Sequence, residues 1–172
     1  LEFRRVLFRS IDHWWTLFEK RDVVISQGAR NYYNQITTSR HYRKIFDVNC
    51  LPDVYNAITY WRLSQTAQEF FNLVQLVFEQ WSEFQKLLKF PDEDATTDVV
   101  YAIVAKIMGT DLVTLPIGVG PTIVHMKKQI IGSLTENWTK ELVWEHTNPG
   151  LRIQTIAQSG LVHYHIKDFV NE

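Results

Sequence analysis

Several polar side chains in this sequence belong to the types that bind phosphate, sugar or metal ions. His125 lies near the end of a short apolar run, Ile-Val-His-Met, and Lys127 follows it. A neutral imidazole can ligate a divalent cation, and a lysine can neutralise a phosphate. A hydrogen-bonded structural histidine followed by solvated lysines has the same pattern, and the residues alone favour that interpretation.

Two carboxylates and two strand residues form a second group of candidates. Asp94 and Asp98 precede a predicted helix, where a carboxylate could orient or deprotonate an acceptor hydroxyl. Stabilisation of the helix N-terminus is the simpler role for Asp98. Asn56 and Arg62 belong to the segment Tyr-Asn-Ala-Ile-Thr-Tyr-Trp-Arg and could contact a sugar or a phosphate. Ordinary surface positions are more common for such residues.

The remaining candidates are two histidines and a cysteine. His163 and His165 alternate with apolar and aromatic residues, so a strand would place both on one face. They could bind a metal ion, although a solvated strand face is the commoner explanation. Cys50 is the only cysteine, which excludes an intrachain disulfide. No local pattern supplies the histidine partner that a nucleophilic thiol needs.

The composition narrows the class of protein. The 172 residues suffice for one domain, and the formal net charge of −1 gives no electrostatic case for nucleic acid or an anionic membrane. No apolar run reaches the roughly 20 residues of a membrane helix. Arginines interrupt the first apolar residues, unlike those of a secretory signal. We therefore expect a cytoplasmic protein with no membrane span; the sequence carries no signal for an oligomeric state.

The first ten residues are similar to translated sequencing adapter, a string found at the broken ends of metagenomic reading frames. They read Leu-Glu-Phe-Arg-Arg-Val-Leu-Phe-Arg-Ser. The alternative is a genuine amphipathic start to the chain. On the first interpretation, residues 1–10 are artefactual and 11–172 form a single α/β domain whose N-terminal part is missing.

Hydrophobic periodicity predicts alternating strands and helices up to about residue 126. Such alternation indicates an α/β fold with a partly parallel sheet, which a closing hairpin would make mixed. The predicted helices cover 11–20, 65–89 and the segment after Thr97 that ends at Gly109. The predicted strands cover 22–26, 54–63, 111–115, 122–126 and a terminal hairpin of 151–156 with 161–166.

The order of five short segments over residues 11–130 resembles a known family. The segments are Ile11-Asp-His-Trp-Trp, Asn56-Ala-Ile-Thr-Tyr-Trp-Arg-Leu-Ser64, Ala67-Gln-Glu-Phe-Phe71, Thr97-Asp98-Val-Val-Tyr-Ala and Val124-His125-Met-Lys127. This order is similar to that of GT-A sugar-nucleotide glycosyltransferases, particularly glycogenin-like and phage-encoded ones. The chain departs from the family in three places. It lacks the strand-terminal D-x-D that the family has ahead of the segment at Ile11, has Ile58 where a glycine is usual, and continues after the late histidine with Ile130-Ile-Gly132.

The resemblance implies the C-terminal part of a GT-A, Rossmann-like mixed sheet flanked by helices, with a C-terminal β-hairpin. It implies transfer of a sugar from a nucleotide-diphosphate donor to a hydroxyl acceptor, with Mn²⁺ or Mg²⁺ in the intact protein. His125 would ligate the metal, Lys127 would contact the diphosphate, and Asp98 would face the acceptor. Asn56 would lie near the donor sugar, and Arg62 would bind substrate. Without D-x-D, this chain is expected to be inactive.

Two other functions stay open. A non-enzymatic phage or host-interaction module could bind carbohydrate or protein through the aromatic and basic residues of 28–52. A nuclease-like metal enzyme could use Asp92, Glu93, Asp94 and Asp98, although the acidic cluster is its only support. The reading frame upstream of Ile11 distinguishes these functions, because a transferase requires a strand ending in D-x-D there.

Overall fold

The computed structural model describes residues 12–30, 33, 43–116, 118–119, 123–126, 143–147, 150–158 and 161–164. In chain order the elements are α1 (Asp12–Phe18), β1 (Val23–Gln27), β2 (Ala29–Arg30), α2 (Arg43–Val48), β3 (Val54–Trp61), α3 (Gln65–Glu79), α4 (Trp81–Leu88), α5 (Thr97–Met108), α6 (Thr110–Val113), β4 (Ile123–Met126), β5 (Trp144–Thr147), β6 (Gly150–Ile153), β7 (Ile156–Gln158) and β8 (Leu161–Tyr164). No helix among these residues is long and apolar enough to cross a membrane.

The chain divides into two compact units. The helical unit contains the described residues of 12–28 and 40–120, and therefore all six helices with β1 and β3. The strand unit contains β2 and the described residues that follow 120. The sequence-based prediction of an α/β protein is confirmed at this coarse level.

In the helical unit, β1 and β3 pair antiparallel and are packed on both faces. The β-branched run that predicted β1 forms it within one residue at each end. Val23 and Ile25 belong to the large core shared with the helices, whereas Val24 packs on the opposite face with Phe18 of α1. Because β-strand side chains alternate between faces, β1 has the continuous apolar character of a strand buried on both sides.

The long amphipathic stripe of residues 65–89 forms two helices instead of the single helix that we predicted. Ser64 caps α3 by accepting a hydrogen bond from Ala67 N at 3.1 Å. The break falls at Gln80, whose backbone angles of −105° and 25° are not those of a helix. Neither glycine nor proline marks this point, so the sequence has no local signal for it. After the break Trp81 is buried, and its ring lies 5.7 Å from that of Phe90.

Helix α5 runs through the core of the helical unit. Its residues Val99 to Ala105 are all buried, as expected for a helix covered on every side. Gly109 follows it with a φ of 101°, which confirms the predicted end of the helix. The strand predicted at 111–115 is wrong, because Thr110–Val113 forms one helical turn that Thr114 N closes onto Thr110 O at 3.0 Å. Within the predicted strand 111–115, only Thr114 forms a β-bridge to β1, with Ile25.

The strand unit contains two separate three-stranded sheets. In one, β4 pairs parallel with both β2 and β8. In the other, β6 pairs antiparallel with β5 and β7, and Arg152 forms a cross-strand ion pair of 2.8 Å with Glu145. The predicted hairpin between 151–156 and 161–166 is therefore wrong. A turn with Gln154 at a φ of 55° reverses the chain inside the first of these segments.

The described strands form three small sheets instead of one mixed sheet. Within β3, Asn56 lies in the irregular stretch between the register pairs Ile25–Thr59 and Gln27–Val54, where it has no partner in β1. Its N–H donates instead to the Asp98 carboxylate of α5. Among the described residues, the parallel pairing that we expected from the alternation of elements joins β2, β4 and β8, and one isolated parallel bridge joins Thr114 to Ile25 of β1.

Candidate functional site

The structure brings two of the predicted site residues into direct contact. Asp98 lies in the first turn of α5, and its Oδ1 accepts a hydrogen bond of 2.7 Å from the backbone N of Asn56. Both residues are half-buried. The helix N-terminus favours a negative charge at this position, and the strand N–H adds a directed donor. Asp98 therefore links α5 to β3 through one of its carboxylate oxygens.

The contact extends along β3 into a polar chain that the sequence did not reveal. Thr59 Oγ1 donates a hydrogen bond of 2.8 Å to Asn56 Oδ1, and the side chain of Thr59 also hydrogen-bonds with that of Tyr101. Tyr101 follows Asp98 by three residues, which places both on one side of α5. Burial raises the pKa of the Tyr101 phenol above its ordinary value, and the hydrogen bond with Thr59 opposes this shift.

Arg62 is held by a carboxylate at the opposite end of β3. Its Nε lies 2.6 Å from Asp22 Oδ1, and its backbone N donates to Asp22 O at 3.1 Å. Hydrogen bonds from Arg62 and then from Thr66 lower the pKa of Asp22 below its usual value. The side chain of Arg62 is 54% exposed, so a bound phosphate would compete with Asp22 for the same guanidinium.

The sequence alone gives Asp22 no role beyond the start of β1. An aspartate before one strand and an arginine after another have no evident relation along the chain. The antiparallel register pairs Val23 with Trp61 and so brings the two flanking residues together. The signal for this ion pair is therefore the strand pairing, which depends on the tertiary structure.

Of the predicted metal and diphosphate residues, the structure describes only the backbone of the first. His125 lies in β4, whose backbone is described, and Lys127 lies outside the described residues. Within the part of the chain that the structure describes, no three His, Cys, Asp or Glu side chains are grouped so that they could hold a metal ion. The described side chains therefore supply no complete cation site.

The features behind the alternative functions give little further support. Asp92, Glu93 and Asp94 are exposed, and the described residues around them form no metal-binding group. Most of the loop between β2 and α2 lies outside the described residues, as do residues 1–10 and His165. Cys50 is exposed.

Known proteins offer no relative from which the role of this site could be inferred. No protein-family model, curated protein or solved structure matches the chain. The expected resemblance to GT-A glycosyltransferases therefore depends on the short sequence segments quoted above and stays a prediction.

Proposed function

We propose that this chain is part of a metal-dependent glycosyltransferase that moves a sugar from a nucleotide-diphosphate donor to a hydroxyl acceptor. The contact between Asn56 and Asp98 is the observation that carries the proposal. These residues come from two segments of the resemblance that lie far apart in the sequence. Their proximity supports the idea that the segments belong to one site.

The environment of Asp98 suits an acceptor-side carboxylate. A negative charge in the first turn of a helix is stabilised by the helix dipole. A hydrogen bond from Asn56 N to Oδ1 fixes the orientation of the group. Because Asp98 is half-buried and not sealed in the core, its carboxylate can accept a hydrogen bond from a sugar hydroxyl.

The cation that the resemblance implies would neutralise the charge of the donor diphosphate. His125 is the residue of this chain that would hold it, and Lys127 would contact a phosphate oxygen. Both assignments come from the resemblance. The carboxylates of a D-x-D that ends a strand would complete the cation site, and the one D-x-D triplet of this sequence, Asp92-Glu93-Asp94, lies instead in the exposed loop before α5. We therefore expect the chain by itself to transfer no sugar and to hydrolyse no sugar nucleotide.

The decisive experiment recovers the reading frame upstream of Ile11 and expresses the extended protein. We expect a hydrophobic strand that ends in D-x-D, together with Mn²⁺-dependent release of a nucleoside diphosphate from a sugar nucleotide. A catalytic motif of another class upstream would contradict the proposal. So would turnover by the 172-residue chain comparable to that of the extended protein.

Two matched variants of the extended protein test the role of Asp98. Asp98→Asn keeps an acceptor oxygen for Asn56 N but removes the charge, whereas Asp94→Asn makes the same chemical change in the exposed acidic loop. We expect Asp98→Asn to lower kcat with a smaller change in the donor KM, and Asp94→Asn to change neither. Equal activity of the two variants would remove Asp98 from the proposed site. Circular dichroism verifies that both variants are folded at the assay temperature.

A further inference from the structure

One edge of the two-stranded sheet in the helical unit carries backbone groups that the sheet itself does not use. Arg62 N donates to Asp22 O, so these two residues form a hydrogen-bonded pair of the antiparallel ladder. The register pairs that follow are Val23–Trp61, Val24–Tyr60 and Ile25–Thr59. Because hydrogen-bonded and non-hydrogen-bonded pairs alternate in such a ladder, the N–H and C=O groups of Thr59 and Trp61 point away from β1.

This edge of β3 is open. Within the part of the chain that the structure describes, no strand lies beside it and no backbone hydrogen bond involves the outward groups of Thr59 and Trp61. Strand β3 also lacks the usual protection of an edge, because it contains no proline and no charged residue. Trp61 is 51% exposed, and Thr59 and Tyr60 are half-buried. A further polypeptide can therefore reach this edge.

We propose that two copies of this chain associate by pairing their β3 strands antiparallel along this edge, in a register centred on Tyr60. In this register Trp61 of each copy lies opposite Thr59 of the other. The outward N–H and C=O groups of these two residues then form reciprocal hydrogen bonds with those of the second copy. A two-fold axis beside Tyr60 relates the copies, so one surface serves as both halves of the interface.

The side chains along this register suit a second copy of the chain. On one face of the sheet the pairing sets the aromatic Trp61 opposite the β-branched Thr59, and on the other it sets the two Tyr60 side chains opposite each other. Trp15 packs edge-on against Tyr60 with ring centres 5.4 Å apart, and its 49% exposure extends the apolar surface beside the strand. No charged residues face each other, because β3 has none and Arg62 lies opposite an isoleucine.

This inference goes beyond the proposed glycosyltransferase and does not depend on it. Pairing along residues 58–62 is short compared with the roughly 20–30 residues that each partner contributes to a standard interface. Association should therefore be weak, with a dissociation constant in the micromolar range or above. Because association is measured without a sugar nucleotide, either proposal can fail while the other stands.

Sedimentation velocity of the whole chain at concentrations from about 10 μM to about 1 mM tests the proposal. We expect a monomer–dimer equilibrium. Trp61→Lys puts a charge on the edge and should raise the dissociation constant about tenfold or more. Trp61→Phe keeps an aromatic ring at the same position and should change it less than about threefold. Leu87→Lys adds the same charge to α4, at a side chain with 74% exposure, and should leave the dissociation constant unchanged.

Amide hydrogen exchange of the unsubstituted chain keeps the test independent of folding defects in the variants. The N–H groups of Thr59 and Trp61 should exchange more slowly as the concentration rises, whereas that of Tyr60, which faces β1, should not change. Slow exchange at Thr59 and Trp61 that does not depend on concentration would overturn the proposal, because another segment of the same chain would then cover the edge. A chain that stays monomeric, which leaves the edge to a different protein, would overturn it too. So would a dimer that Trp61→Lys leaves intact.

Discussion

Replacing Asp98 by alanine should lower the free energy of unfolding, because it removes a charged acceptor from a β-strand N–H. A hydrogen bond to a charged group contributes about 1.5–3 kcal/mol. The negative charge in the first turn of α5 adds about 0.3–1 kcal/mol through the helix dipole. Partial exposure reduces both contributions, since water can reach a half-buried donor. We therefore expect Asp98→Ala to cost about 2–3 kcal/mol in total.

Two comparisons separate the hydrogen bond from the charge. Asp98→Asn keeps an oxygen that can accept from Asn56 N but loses the anion, so we expect it to cost about 1 kcal/mol. Asp94→Ala removes an exposed carboxylate from the preceding loop and should change the free energy of unfolding by less than about 0.5 kcal/mol. The order of the three variants is therefore a sharper prediction than any single value.

Urea unfolding followed by circular dichroism measures these differences, provided that the m-value is the same for all variants. Amide hydrogen exchange at Asn56 adds a local probe, because its N–H should exchange faster once Asp98 no longer accepts its hydrogen bond. A cost of Asp98→Ala below about 0.5 kcal/mol, with slow exchange retained at Asn56, would refute the link between α5 and β3.

Three further predictions concern the core and the titrating side chains. Phe70→Ala, at a side chain with no exposure, should cost about 3–5 kcal/mol in urea unfolding. Leu63→Ala is its control, with 94% exposure and an expected cost below about 0.5 kcal/mol; similar costs would contradict the assigned core. Arg62→Met should return the pKa of Asp22 towards its ordinary value of 3.8, measured by NMR titration of the carboxyl carbon. The stability that this lowered pKa contributes is complete above pH 3.8 and is lost as the pH falls through the folded-state pKa. The Arg62→Met variant should therefore lose less stability in acid than the unsubstituted chain. Burial raises the pKa of Tyr101 above its ordinary value of 10.0. The free energy of unfolding that this shift contributes is therefore complete below pH 10.0 and is lost as the pH rises through the folded-state pKa. Tyr101→Phe should therefore reduce the loss of the free energy of unfolding at alkaline pH, measured by unfolding at successive pH values. An unchanged loss would contradict the assignment of this pH dependence to Tyr101.

Local sequence signals predicted most elements of the helical unit. The β-branched run of β1 and Gly109 after α5 each depend on neighbouring residues, and each has the predicted place in the structure. Predictions failed where the chain turns without glycine or proline. Gln80 divides the long amphipathic stripe, and Gln154 reverses the chain within an expected strand. Such turns depend on packing elsewhere, which residue propensities do not record.

The amino-acid sequence by itself determined the types of the candidate residues and the element on which most of them lie. Only the tertiary structure decided their partners. Asp98 with Asn56 and Arg62 with Asp22 are distant in sequence and adjacent in the fold. The physical reason is that strand register and helix packing are set by burial of whole faces. Side chains far apart along the chain therefore become neighbours through contacts that neither residue's local sequence specifies.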